Sequence, residues 1–129
     1  MSEHDIFAEE ALLDGLFSGQ VEVRDGIEVY RRLTRECFFD PRLGLLFEAA
    51  ATLFADNPQL VDSVAAIDLL RRNGTLKDAG GAAHVAEVTS GNATGASVTH
   101  WAEQVLNQFR KRRMADAGRQ IAASANNPV

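Results

Sequence analysis

Residues 97–124 read SVTHWAEQVLNQFRKRRMADAGRQIAAS, and this stretch decides the fold class. It holds no proline and a single glycine, Gly118, so nothing in it breaks a helix. Val98, Trp101, Val105 and Phe109 fall at steps of three and four and make one apolar stripe. Met114, Ala117 and Ile121 continue an apolar face, but Arg110, Lys111, Arg112 and Arg113 interrupt it. Four consecutive cations at helical steps cannot all point away from a core. Either their long stems snorkel past apolar neighbours, or this part of the helix has left the globule; the second reading is adopted. Such a helix is about 40 Å long, more than a small bundle covers, so it is expected to project.

Five shorter helices are expected before it. The first covers about 5–16, with Asp5 as N-cap, Ile6, Leu12, Leu13 and Leu16 apolar, and Glu9, Glu10 and Asp14 polar; Gly15, Ser18 and Gly19 end it. A second follows Asp25, with Ile27, Val29, Tyr30 and Leu33 apolar, its start blurred by Gly26 and β-branched residues. The third has Asp40 placed to cap and Pro41 at the first helical position, where a missing N–H costs nothing. Leu43, Leu46, Phe47, Ala50 and Phe54 then repeat until Asn57-Pro58. A fourth starts at Asp62, runs through Val64, Ile67, Leu69 and Leu70, and ends at Asn73-Gly74. Asp78 is expected to cap a short fifth helix with Ala82, Val85 and Val88. Gly80 and Gly81 in its first turn weaken it, which points to close approach of another backbone. Gly91, Asn92, Thr94 and Gly95 read as a loop, and 126–129 as a turn or a cut end. The expectation is an all-α chain: a helical-bundle head over 1–93 and a long projecting helix over 94–125.

Composition agrees. A chain of 129 residues, 14.0 kDa and 46% hydrophobic has room for one domain. No apolar run is long enough to span a bilayer, and no basic stretch followed by an apolar one opens the chain. One cysteine, Cys37, excludes a disulfide within the chain and a multi-cysteine zinc site; a reducing, cytoplasmic setting is the simplest reading. The net charge of -5 argues against a protein whose main business is coating DNA. That average hides a polarity. Five of the 13 Lys and Arg follow residue 93, but only two of the 18 acids do, Glu103 and Asp116. A basic segment on an acidic body suits self-association or docking on a large assembly.

Catalytic patterns are absent from these 129 residues: no G-x-x-x-x-G-K-[ST] phosphate loop, no G-x-G-x-x-G, no H-E-x-x-H and no G-x-S-x-G. A metal site would have to gather His4, Asp5, His84 and His100 from distant points, and ordinary histidines are the more economical reading. Cys37, beside Phe38 and Phe39, reads as a small buried hydrophobe rather than a nucleophile. Asn73-Gly74-Thr75 and Asn92-Ala93-Thr94 match the glycosylation pattern by chance in a chain without a secretion signal. Arg110, Lys111, Arg112 and Arg113 are candidates for contact with phosphate or an acidic partner, beside the duller reading of a solvated face. Trp101 and Phe109 read as core rather than as a platform for bases. Residue chemistry thus stops at an all-helical interaction module.

Several pieces, in this order and spacing, resemble one family. They are His4-Asp5-Ile6-Phe7-Ala8-Glu9-Glu10-Ala11-Leu12-Leu13, then Phe38-Phe39 with Leu46-Phe47-Glu48-Ala49, then Val61-Asp62 with Val64 and Leu69-Leu70. Gly74-x-Leu76 before Gly80-Gly81 follows, with His84-Val85 and Val88 behind it. Last come Trp101-Ala102, Val105, Arg112-x-Met114 and Ile121-Ala122. Together they cover nearly the whole chain and resemble the N-terminal domain of the DnaB-type replicative DNA helicases of bacteria and their phages.

The resemblance implies a helical head followed by a helical hairpin, of which the long helix is the first arm. Hairpins pair between subunits, and six domains form a collar over an ATPase ring. It implies a homo-oligomer, a dimer as this fragment and a hexamer in full length, with Trp101, Val105, Phe109 and Met114 in self-association. The collar receives the C-terminal domain of primase or a helicase loader. Positions matching that contact are Phe7, His84, Ala115 and Ile121. Three depart from the family, where an acidic residue, a tyrosine and a larger aliphatic are usual at Phe7, His84 and Ala115; Leu43 replaces a histidine. No catalytic residue, cofactor or metal is implied for this chain. ATP and magnesium belong to the ATPase domain, and DNA is contacted through the full-length protein. The competing readings are a stand-alone adaptor or inhibitor that mimics the collar, and a small metal enzyme resting only on the histidines. A phosphate loop encoded beyond residue 129 separates the helicase from the adaptor.

Overall fold

The computed structural model describes residues 3–90 and 97–125, with side chains from Ile6 onward. The described residues form six α-helices and two short 3-10 turns, without a strand: α1 Glu3–Leu16, α2 Val23–Arg32, α3 Pro41–Asp56, α4 Ser63–Arg72, α5 Gly81–Val88 and α6 Val98–Ala125. The 3-10 turns, Arg35–Cys37 and Pro58–Leu60, lie on either side of α3. The all-α class and the long last helix are as expected from the sequence. The loop expected around Gly91, the second glycosylation match and the turn expected over 126–129 lie outside the described residues.

The strongest sequence signals produced the expected boundaries. Asp40 caps α3 by accepting from the Arg42 N–H at 3.0 Å, with Pro41 in the first turn. Asp62 caps α4 by accepting from the Ala65 N–H at 2.7 Å. At its other end, the Gly74 N–H bonds the Arg71 carbonyl and the Thr75 N–H bonds the Leu70 carbonyl. This paired closure needs a left-handed residue, and Gly74 takes φ +74°.

Other expectations need correction. Asp5 lies inside α1, which begins at Glu3, so it is not the cap. Glu9 and Asp14, assigned to a polar face, are buried. Gly15 lies within α1 rather than ending it. Helix α2 begins at Val23, and Gly26 sits inside it, facing the core. A Cβ there would stand 2.6 Å from the Phe54 ring, so the glycine admits the ring. Ile27 is exposed rather than core. Asp78 does not cap α5; that position is Gly80, at φ +100°, with Gly81 at φ +87°. The glycine pair is thus a backbone requirement of left-handed conformation. What approaches Gly80 is the ring of His84, 2.5 Å from a built Cβ, and not another backbone.

The core is one cluster. Leu12 and Leu13 of α1, Val29 of α2, Leu43, Leu46 and Phe47 of α3, Ala66 and Leu70 of α4, and Val85 of α5 are essentially closed to solvent. Leu43 packs in this cluster with no polar duty. Helix α6 contributes Val98, Ala102, Val105 and Leu106. The head therefore extends past residue 93 and takes in the first turns of α6. From Arg113 to Ala125 every residue of α6 is exposed.

Candidate functional site

The point where α6 leaves the head is organised around one buried carboxylate. Glu9 has no exposed surface, and its two oxygens accept from the backbone N–H groups of Phe39 at 2.8 Å and Asp40 at 3.2 Å. Burial pushes Glu9 above the ordinary carboxylate value; the two N–H groups and the charge of Arg112 pull it down only in part. Arg112 donates to the Cys37 carbonyl at 2.9 Å, and its guanidinium lies 5.6 Å from the centre of the Phe39 ring. One buried Nη1 atom of Arg112 has no hydrogen-bond partner. So α1, the turn before α3, and α6 are tied together within a few residues.

This corrects the reading of the four cations. Arg110, Lys111 and Arg113 are exposed, but Arg112 is half-buried and points back into the head. Its guanidinium turns inward onto the head instead of snorkelling to water, and the helix leaves the globule only beyond it. Arg113 lies over the Phe109 ring at 5.6 Å.

The other candidates divide. Val105 is fully buried in the head, and Trp101 and Phe109 are packed against the same core. A partner subunit cannot reach Val105, so of the four self-association candidates Met114 is the one standing open, at 75% exposure. Ile121, at 71%, stands open beyond it on the same helix. Phe7 is 53% exposed and meets Trp101 edge-on with ring centres 5.5 Å apart. His100 also meets Trp101 edge-on, with ring centres 4.9 Å apart. His84 is half-buried; its Nδ1 donates to the Ala79 carbonyl at 2.9 Å. Ala115 is exposed and lines an open cleft with Phe39 and Phe109. The structure thus brings Phe7 to Trp101, and Ala115 to Phe109, Arg112 and Arg113, while Ile121 stands apart on the arm.

Cys37 is buried, its Sγ 3.9 Å from the Thr34 hydroxyl. Among the described residues no three His, Cys, Asp or Glu side chains are grouped to hold a metal. No described helix is long and apolar enough to cross a membrane. Asn73 of the first glycosylation match caps the C-terminal end of α4. The sequence reading gives Glu9 and Phe39 no site role. Glu9 lies in the resembling stretch 4–13, and its carboxylate holds the backbone of Phe39 and Asp40, so two separate sequence resemblances are one contact in space.

The chain matches the family described as DnaB-like helicase N terminal domain over residues 1–107. It belongs to that family. A replicative DNA helicase DnaB of Leifsonia xyli subsp. xyli is 30% identical over 118 residues, covering 92% of this chain and 25% of that protein. The replicative DNA helicase DnaB of Rhodothermus marinus is 29% identical over 121 residues, 94% of this chain and 12% of that protein. The chain therefore spans a quarter or less of these relatives. The crystal structure of the N-terminal domain of DnaB helicase from Mycobacterium tuberculosis shares the fold, with a TM-score of 0.81 at 24% identity, over 96% of this chain and 83% of that one. Within a DnaB-like N-terminal domain, the Glu9 and Arg112 contacts fix where the long helix departs.

Proposed function

We propose that this chain is the non-catalytic collar domain of a replicative DNA helicase, acting in subunit assembly and in docking of primase or a helicase loader. The family and the two helicase relatives support the first part. The observation that carries the assembly role is the arm: residues beyond Arg112 form helix with no core beneath them, yet Met114 and Ile121 are widely exposed. A segment of about a dozen residues is marginal as a helix in water on its own, and burying its apolar side chains against a second copy would stabilise it. Partner docking is assigned to Phe7, His84, Ala115 and Ile121. These 129 residues hold no phosphate loop, so no step here runs through ATP or magnesium, and DNA contact belongs to the full-length protein.

Sedimentation over a range of concentrations tests the assembly role: concentration-dependent dimers are expected, and a strict monomer at high concentration overturns it. Ile121→Asp should shift the equilibrium to monomer, since an unpaired charge is costly to bury, while leaving the head's melting unchanged. Docking is tested by titrating the C-terminal domain of the cognate primase against the chain and against His84→Tyr. Binding by either supports it, and binding by neither removes the primase assignment.

A further inference from the structure

At the root of the arm lies an open cleft of about 580 Å³, lined by Phe38, Phe39, Phe109 and Ala115 together with Arg112 and Arg113. Its floor is apolar, and Phe39, which lines it, is 46% exposed. Its charges are unevenly spent. The acids on its rim, Glu36 and Asp116, pair with Arg35 and Arg119. Arg113, with Arg110 and Lys111 on the adjoining turn of α6, makes no ion pair among the described residues. An apolar floor beside unpaired cations is complementary to an apolar side chain flanked by carboxylates.

We propose that this cleft receives an acidic peptide segment of a partner protein, its apolar anchor on Phe39, Phe109 and Ala115 and its carboxylates on Arg113 and the neighbouring cations. A nucleic acid strand fits less well. The Phe39 and Phe109 rings already have a guanidinium over them, which leaves less ring face for a stacked base. The site needs no self-association, and it adds a partner chemistry to the docking surface with which it shares Ala115.

The test is fluorescence anisotropy on the 129-residue chain with a labelled synthetic peptide of about ten residues, Glu-rich around a Leu-Phe pair. The controls are the same peptide with Lys for Glu and a labelled oligothymidylate. The acidic peptide should bind with Kd of order 10–100 μM, more weakly as salt screens the charges. Arg113→Glu and Phe39→Ala should each weaken it by about tenfold, while Val64→Asp, an exposed position on α4 outside the cleft, leaves it unchanged. Arg113 is exposed, so its variant should fold; a thermal melt checks Phe39→Ala. Equal binding of the Lys peptide, indifference to Arg113→Glu, or tighter Arg113-dependent binding of oligothymidylate each overturns the proposal.

Discussion

A carboxylate with no exposed surface must be met by donors or keep its proton, and Glu9 does some of each. Its oxygens hold the Phe39 and Asp40 N–H groups, while burial raises its proton affinity above the ordinary 4.5. Glu9→Ala leaves both N–H groups without this acceptor and Arg112 without its counter-charge, and should cost about 2–4 kcal/mol in urea unfolding; a loss below about 1 kcal/mol would show that water replaces the carboxylate. The pH dependence has a definite sign. The folded chain holds the Glu9 proton more tightly than the unfolded one, so this contribution to stability is full below pH 4.5 and is lost as pH rises through the raised folded value. Asp40 runs the other way. Burial raises it, but the hydrogen bonds and charge of Arg42 outweigh that and hold it below 3.8; its contribution is present above pH 3.8 and lost as pH falls through the lowered value. Subtracting the stability of Glu9→Gln from that of the unmutated chain, across about pH 3 to 8, should isolate the first slope. A difference that grows with rising pH would reverse the assignment.

Among the elements, those with caps written in side chains were legible and those set by backbone conformation were not. Asp40-Pro41 and Asp62 state their helix starts in the sequence, and the structure follows them. The start of α5 carries no side-chain cap; it is set by the positive φ of Gly80 and Gly81, which Asp78 two residues earlier does not announce. The two glycines should differ on substitution. Gly81→Ala meets only the left-handed backbone penalty, about 1–2 kcal/mol, since its Cβ would find open space. Gly80→Ala adds a clash with the His84 ring and should cost more, by thermal melting; equal losses would mean that the ring swings away freely. Periodicity places the α6 stripe but not its partner. Val98, Trp101, Val105 and Phe109 do lie on one side of the helix, and that side is the head's own core and its edge, so a stripe alone cannot say whose surface it covers. The Arg112 contact to the Cys37 carbonyl, 75 residues away in sequence, was beyond any local pattern.

For the whole molecule, the burial pattern divides the chain near Arg112 rather than at residue 93. Every core residue of α6 precedes Phe109, and Arg112 is its last side chain bonded into the head. A chain ending after Arg113 should therefore keep the head's stability within about 1 kcal/mol in urea unfolding, because surface segments away from core and caps contribute little. It should also lose the concentration dependence of sedimentation, since Met114 and Ile121 are gone. Hydrogen exchange on the uncut chain gives the complementary reading. Amides over 114–125 should exchange fast at low concentration, where the arm frays, and become protected as the concentration rises, with no change in the head. Protection of the arm independent of concentration would mean that it is stabilised within one chain, and would remove the argument that a second copy covers it.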